Sequence, residues 1–411
     1  VNDTIQIDHL GIKADGIGRD SIGTTVYVPF TLPGERVRVA RDGARGQLQE
    51  VLQASAERRE APCPHYGACG GCDLQHVSDT FYRDFKRDTV VEAFRRVGLE
   101  PNVEPLVGCA PATRRRAVFS ATRAGPRVLL GFHAALSQRI VALQRCLVVL
   151  PEIEAALPML RRIAERVVPR KGEARLTVTS SGTGLDIAIE GGAPANERLR
   201  RDLVTEALGS GLARLSLGGE ILVEAGKPMI LAGDIPIALP PGAFVQAVAS
   251  AEAEMARHAL DHFGGLKAVA DLFCGVGTFS FRLARRHATH AVESDAAALS
   301  VLQAATRSAS GLKPLTVERR DLFRRPVTAK ELGRFDGVLF DPPRAGAEAQ
   351  CRQLAESTVR RVAAVSCNPL TLARDARILV DGGYELLSVT PIDQFLWSHH
   401  VEAVALFARR G

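Results

Sequence analysis

The chain has no apolar run long enough to cross a bilayer, which takes about 20 consecutive apolar residues in a helix. Its opening residues, VNDTIQIDHL, lack the basic start and apolar stretch of a secretory signal. Both absences argue against a membrane-spanning or exported protein and predict a cytoplasmic one. Cysteine is scarce, eight in 411 residues, yet Cys63, Cys69 and Cys72 crowd into one stretch, CPHYGACGGCDLQH. Three is an uneven number for disulfides, which argues against a secreted framework. Lysine is scarcer still, with seven in the chain, so arginine carries most of the positive charge behind a formal net +6. Otherwise the composition is that of an ordinary globular protein, 46% hydrophobic and 24% charged. At this length two or three domains with buried cores are expected.

Acidic residues are missing from one long stretch. Between Val107 and Cys146 there is no Asp or Glu, but there are seven arginines: Arg114, Arg115, Arg116, Arg123, Arg127, Arg139 and Arg145. Guanidinium forks match phosphate geometry, so the stretch predicts a surface for nucleic acid. The competing reading is an arginine-rich composition throughout.

In the cysteine stretch, Gly70 and Gly71 let the backbone fold tightly enough for three thiolates to converge. Convergence points to a metal or an iron–sulfur cluster. Cysteine-only ligation suits zinc and iron–sulfur alike, and the spacing leaves both open.

Residues up to about Ser55 read as short strands between glycine turns, among them TIQIDHLGIK, TTVYVPF and ERVRVARD. They predict a small barrel of the kind that binds oligonucleotides, or another small β domain. After the cysteines comes an amphipathic helix from about Asp79 to Val97. AVFSATRA, RVLLGFHA and RIVALQRCLVVL read as strands; one further helix follows, then EARLTVTS and GLDIAIEG. This is a mixed α+β middle domain, 56–235. From 236 to 411 the short apolar runs KAVADLF, THAVESD, LTVERRD, DGVLFDPP and VAAVSCNP are mostly separated by helical stretches. Such alternation predicts an α/β domain with an open parallel sheet, and ligands bind beyond the carboxyl ends of its strands.

The first of those strand ends lacks something too. DLFCGVGTFSF has Gly275 and Gly277 at the start of a helix, but Ser280 stands where a dinucleotide site would want a third glycine. S-adenosylmethionine needs no pyrophosphate cradle and fits better. Glu293, ending the next strand, is placed for two ribose hydroxyls, and Asp321, ending the one after, for the adenine region. Asp341 follows at a fourth tip, in FDPPRAG. An amine-methylating enzyme would want an aromatic after the prolines, and Arg344 stands there instead. The fifth tip carries Cys367 in VSCNPLTL. Carbon 5 of uracil is a poor nucleophile; a thiolate adding at carbon 6 would activate it, and a base must then remove the carbon 5 proton. Glu402 in HHVEAVALF is the candidate base.

Taken together, CPHYGACGGC, DLFCGVGTF, DPPRAG, SCNP and HVE resemble the family of RNA uridine C5-methyltransferases acting on 23S ribosomal RNA and tRNA. The resemblance spans nearly the whole chain. It implies a TRAM-type barrel over 1–55, a cluster-bearing middle domain and a Rossmann-like methyltransferase domain. It implies Cys367 as nucleophile, Glu402 as proton acceptor and Asp341 beside donor and uracil. Gln246, Phe273, Thr278, Glu293 and Asp321 would line the donor pocket. Cys63, Cys69, Cys72 and Cys146 would hold a [4Fe-4S] cluster, with Cys109 the rival fourth ligand. The chain departs from the family where Asn is common, at Thr278 and at Val248. Barrel plus cluster resembles the 23S branch, with tRNA the alternative, and a monomer is expected. Other classes would be a non-catalytic RNA-binding protein or an amine-methylating enzyme.

Overall fold

A computed structural model describes residues 2–135, 137–193 and 196–410. Five strands, β1 (Asn2–Leu10), β2 (Gly16–Arg19), β3 (Thr25–Val28), β4 (Arg36–Asp42) and β5 (Arg45–Gln53), close into a barrel in the order β1-β2-β3-β5-β4. Its core is set by alternation: Ile5 and Ile7, Val26 and Val28, and Val37 and Val39 point inward in pairs two residues apart.

The cysteine loop follows, then α1 (Asp79–Arg95), capped by the Ser78 hydroxyl on the Phe81 N–H. The middle sheet runs β12-β11-β10-β9-β6-β7-β8. Its members are β6 (Arg116–Ala124), β7 (Arg127–His133), β8 (Ile140–Ala142), β9 (Glu173–Ser181), β10 (Gly184–Glu190), β11 (Arg214–Leu217) and β12 (Glu220–Glu224). The helices α2 (Pro151–Ala155), α3 (Leu157–Val167) and α4 (Glu197–Gly209) accompany it. On α3 the buried Leu157, Leu160, Ile163, Ala164 and Val167 recur at helical spacing and form one core with the sheet.

A hairpin, β13 (Met229–Ala232) with β14 (Ile235–Ala238), leads into the third sheet, ordered β17-β16-β15-β18-β19-β21-β20. Its strands are β15 (Ala268–Leu272), β16 (Ala288–Glu293), β17 (Leu315–Arg319), β18 (Gly337–Phe340), β19 (Arg361–Ser366), β20 (Tyr384–Ile392) and β21 (Glu402–Arg409). The first five are parallel, and β21 alone runs against β19 and β20. The helices are α5 (Ala249–His262), α6 (Thr278–Ala284), α7 (Ala296–Ser308), α8 (Ala329–Leu332), α9 (Glu348–Ala355) and α10 (Pro369–Asp381). Successive residues of one strand feed opposite layers: Val269, Leu339, Ala363 and Val365 pack with α5, whereas Ala270, Leu272, Val338, Phe340, Val362 and Ala364 pack with α9 and α10.

Two segments of the stretch 56–235 pack into this third core. Val90, Ala93 and Phe94 of α1 join α10 and β20, and Ile230, Ala232 and Ile235 of the hairpin join α6 and α7. An amphipathic pattern shows that a face is buried and leaves open against what. Among the described residues no helix is long and apolar enough to cross a membrane.

Candidate active site

The strand order reverses between β16 and β18 around β15, so the crevice for a ligand opens above the end of β15. There the chain turns sharply. Phe273 has φ +62°, Gly275 +55° and Gly277 +93°. A Cβ on Gly277 would stand 2.7 Å from Leu302, whereas one on Gly275 would meet only open space, as a ligand-facing backbone should. Ser280 explains the missing third glycine: its hydroxyl donates to Asp271 Oδ2 at 2.5 Å, deep under the turn. Asp271 is fully buried with Oδ1 unpartnered, and burial pushes its carboxyl up to about 7. Glu293 ends β16; its Oε2 accepts the Gly275 N–H at 3.1 Å and its Oε1 the Ser294 and Asp295 N–H groups. Asp321 caps the turn after β17 through the Phe323 and Arg324 N–H groups. That turn brings the half-exposed Phe323 ring to 5.4 Å from Phe273, giving the expected donor-pocket phenylalanine an apolar neighbour that the sequence did not single out. Thr278 opens α6 and is buried. These groups fit the methyl donor: a glycine turn, a carboxylate for ribose and an apolar edge.

The chemical end is built by sheet register. Ser366 pairs with Ala403 at the end of the β19–β21 ladder, so Cys367 and Glu402 each lie one residue beyond that pair, near enough for Glu402 to raise the Cys367 thiol. Asp341, just past β18, receives the Gln246 side-chain N–H at 2.7 Å, and Gln394, just past β20, donates to Glu402 at 2.6 Å. Sequence reading had no reason to single out Gln394. Burial raises both carboxyls, and Asp341 and Glu402 face each other closely enough for Asp341 to raise Glu402 further. Burial, Glu402 and Asp341 together push the Cys367 thiol up to about 11, and Arg344 opposes them. Cys367 shares a cleft of about 180 Å³ with Arg344 and His400, with Lys13 of the barrel, and with Glu92 and Arg96 at the end of α1. Arg344 reaches His400 Nε2 at 2.9 Å, so the residue standing in place of an aromatic ring supplies a cation close to Cys367.

Loop 393–400 is held from afar. Lys86 and Tyr82 of α1 bind the two Asp393 oxygens at 2.7 and 2.5 Å, and the Asp73 and Leu74 N–H groups bind the Trp397 carbonyl at 2.7 and 2.9 Å.

Cys63, Cys69, Cys72 and Cys146 line one cavity of about 270 Å³ between the cysteine loop and the segment after β8. A Cβ on Gly70 would stand 2.8 Å from the His133 carbonyl, so only glycine lets this loop close on β7. Burial pushes the Cys69, Cys72 and Cys146 thiols up, Cys72 to about 12, and neighbouring cysteines add to each rise. Among the described residues no three such side chains meet tightly enough to grip one metal ion. Cys109 lies elsewhere, beside Lys86 and Asp393.

The arginine stretch is only partly the phosphate-facing surface that its composition suggested. Arg115 is buried and binds Glu252 at 2.6 Å and the Gln246 carbonyl at 2.9 Å. Arg114 lines the cysteine cavity, and Arg116 donates to the Ala243 carbonyl. These three join the middle sheet to the third domain. Arg123, Arg127, Arg139 and Arg145 stay exposed.

Fold and strand-tip carboxylates together define a class I methyltransferase. Residues 234–410 match the tRNA (uracil-5-)-methyltransferase family model. An RNA methyltransferase of Mesorhizobium japonicum is 51% identical, over 98% of both chains. The 23S rRNA (uracil(1939)-C(5))-methyltransferase RlmD of Chromohalobacter salexigens is 35% identical, over 99% of this chain and 89% of that one. The crystal structure of Pyrococcus abyssi tRNA (uracil-54, C5)-methyltransferase with S-adenosyl-L-homocysteine superposes with a TM-score of 0.74. It is 23% identical and covers 98% of this chain and 99% of its own, a likeness of fold. The chain belongs to the RNA uracil-C5-methyltransferase family. It is an S-adenosylmethionine-dependent enzyme that methylates uracil in RNA at carbon 5.

Proposed function

We propose that the target is a uridine of 23S ribosomal RNA and that Cys367 and Glu402 carry the chemistry. The observation that supports the chemistry is the register of β19 and β21, whose last pair, Ser366 with Ala403, leaves Cys367 and Glu402 as neighbours just beyond it. In the proposed sequence the Cys367 thiol loses its proton to solvent in the open cleft, and the thiolate adds to uracil carbon 6. The electron pair of the 5,6 double bond moves to the carbon 4 oxygen as an enolate. The methyl donor supplies an electrophilic methyl on a sulfonium sulfur, and carbon 5 takes it. Glu402 then accepts the carbon 5 proton, the double bond re-forms, and Cys367 leaves as thiolate. The raised Glu402 pKa suits a group that must take up a proton near neutrality. Asp341 and Gln246 would orient donor and base; Phe273, Thr278, Glu293 and Asp321 would hold the donor. The long resemblance to the ribosomal enzyme of Chromohalobacter supports ribosomal RNA; a tRNA uridine is the second reading, favoured by the name of the matching family model.

We also propose that Cys63, Cys69, Cys72 and Cys146 hold a [4Fe-4S] cluster with a structural role. A tetrahedral zinc with Zn–S near 2.3 Å would pull its sulfurs to about 3.8 Å from one another. Cysteines arranged around a cavity suit a bulkier inorganic core better. The domain division 1–55, 56–235 and 236–411 is proposed with one qualification from the packing: α1 and the β13–β14 hairpin belong with the core of the last domain. Large exposed apolar side chains are scattered, with Ile22 on the barrel, Leu208 on α4 and Leu231 on β13, which supports a monomer. A cytoplasmic location follows from a ribosomal substrate.

The test uses a denaturing gel. Glu402→Gln should methylate once and stay attached to RNA, and Cys367→Ala should form no adduct and no methyluridine. Free turnover by Glu402→Gln would sink the acceptor assignment, and methylation by Cys367→Ala the covalent route. Mapping methyluridine in ribosomal and transfer RNA from a deletion strain decides the substrate.

A further inference from the structure

A proton acceptor works best with one carboxylate oxygen held and the other left free for the proton. The Gln394 amide provides this hold, and its orientation is fixed chemically. The Ala247 N–H can only donate, and it lies 2.9 Å from Gln394 Oε1. The Gln394 amide nitrogen therefore faces the other way, with one hydrogen for Glu402 Oε2 at 2.6 Å and one for Gln246 Oε1 at 2.7 Å. Gln246 in turn donates to Asp341 Oδ2 at 2.7 Å. Donation thus runs one way, from a backbone N–H through two amides to the two carboxylates.

Three of these groups are sealed from water. Gln394 is 2% exposed, Glu402 2% and Gln246 5%, so no solvent molecule can substitute for a lost amide. Position 248 offers no help, because Val248 is buried in the α5 core. Gln394 itself is anchored on both sides. Its neighbour Asp393 is gripped by Lys86 and Tyr82, and its carbonyl accepts from Arg114 at 3.4 Å.

We propose that Gln394 is a positioning residue for proton removal: its amide fixes one oxygen of Glu402, couples the acceptor to Gln246 and Asp341, and leaves Glu402 Oε1 free to take the carbon 5 proton. The proposal rests on Glu402 being the acceptor. The charged and titratable groups around Glu402 are Asp341, which disfavours its ionised form, Arg344, which favours it, and the neighbouring Cys367 thiol. Against burial and Asp341, the Gln394 donor stabilises the carboxylate form. Removing that donor leaves less Glu402 ionised at a given pH and less of it correctly aimed. Carbon 5 is methylated before this step, so the first methyl transfer should be spared.

The experiment follows one turnover of Gln394→Leu on substrate RNA and measures separately the methyl transferred and the adduct released. Transfer should stay within about twofold of wild type, while release falls roughly tenfold, the scale of one hydrogen bond to a charged group. The pH midpoint of release should move upward by about one unit. Gln394→Met, matched in length and flexible enough to pack, should behave like Gln394→Leu and serves if the leucine variant fails to fold. Gln394→Glu, placing a second carboxylate against Glu402, should release still more slowly. Wild-type release with an unshifted midpoint in the leucine or methionine variant overturns the proposal, as does an equal loss of transfer and release. Glu402→Gln run alongside separates the two levels. If it forms no adduct, the acceptor assignment is wrong; if it forms one while Gln394→Leu releases normally, the role given to Gln394 is wrong.

Discussion

Lys86 is the most demanding test of how the site is supported. It lies on α1, and its side chain and that of Asp393 are both 0% exposed, 2.7 Å apart. Burial pulls the lysine pKa down and Asp393 pulls it back up. Lys86 also donates to the Phe395 carbonyl at 3.0 Å. Lys86→Met keeps the apolar stem and removes the charge, leaving Asp393 buried with only the Tyr82 hydroxyl and the Phe395 N–H as donors. Removing one member of a buried ion pair costs about 3–5 kcal/mol. For a domain of this size that lowers the transition by roughly 6–20 °C. Trp397 is the single tryptophan of the chain, and its N–H donates to the Tyr82 hydroxyl at 2.8 Å. Its fluorescence therefore reports unfolding of this very segment during urea titration. Lys86→Met combined with Asp393→Leu should be more stable than the two single losses sum to, because neither charge is then stranded. A loss below about 1 kcal/mol in Lys86→Met, with unchanged tryptophan emission, would refute the claim that α1 holds this loop through a buried pair.

Protein purified without oxygen should carry about four irons and four sulfides per chain, lost in Cys63→Ser and Cys146→Ser and kept in Cys109→Ser. Stoichiometric zinc without sulfide in the wild type would refute the cluster. Replacing the exposed Arg127 and Arg139 together by alanine should reduce the salt slope of RNA binding by about two. Arg115→Ala should leave that slope alone and cost about 1.5–3 kcal/mol of stability, since Glu252, which is 0% exposed, then keeps Arg282 as its charged partner but loses one charge-assisted hydrogen bond; a changed slope there would mean that Arg115 meets phosphate after all.

The parts of the site at strand tips were legible in the sequence for a physical reason. A parallel strand buried on both faces must be an apolar run, so the polar residue that ends it stands out: Glu293, Asp341 and Cys367 each follow such a run. The barrel was legible through its alternating Val and Ile. Residues joined across long sequence distances were not. Lys86 sits on the buried face of α1, where a helical pattern expects an apolar residue, because its partner lies 307 positions away. Composition marked an arginine run without showing that Arg115 is spent on Glu252 while Arg127 is free of the core. Gln394 gave no signal at all, since a glutamine is ordinarily a surface residue.

Two non-glycine residues with left-handed backbones bracket the reaction centre, and they show what the cysteine loop contributes. Phe273 bends the donor turn at φ +62°, and Trp397 bends the loop leading to Glu402 at φ +59°. Each such conformation costs on the order of 1–3 kcal/mol and persists only where the surroundings over-determine it. At Trp397 they do so with three hydrogen bonds: its N–H donates to Tyr82 of α1, and its carbonyl accepts from the Asp73 and Leu74 N–H groups. Asp73 follows Cys72 directly, and its carboxylate also binds the His399 N–H and ring at 3.0 and 2.7 Å. The segment that presents Gln394, His400 and Glu402 is thus clamped to the cysteine loop within one residue of a proposed cluster ligand. Without an ordered cysteine loop, two of the three bonds at Trp397 are lost and its strained backbone is free to relax, loosening the segment that leads to Glu402. A cluster held by this loop, as proposed, would bear on the chemistry through the backbone of Asp73 and Leu74.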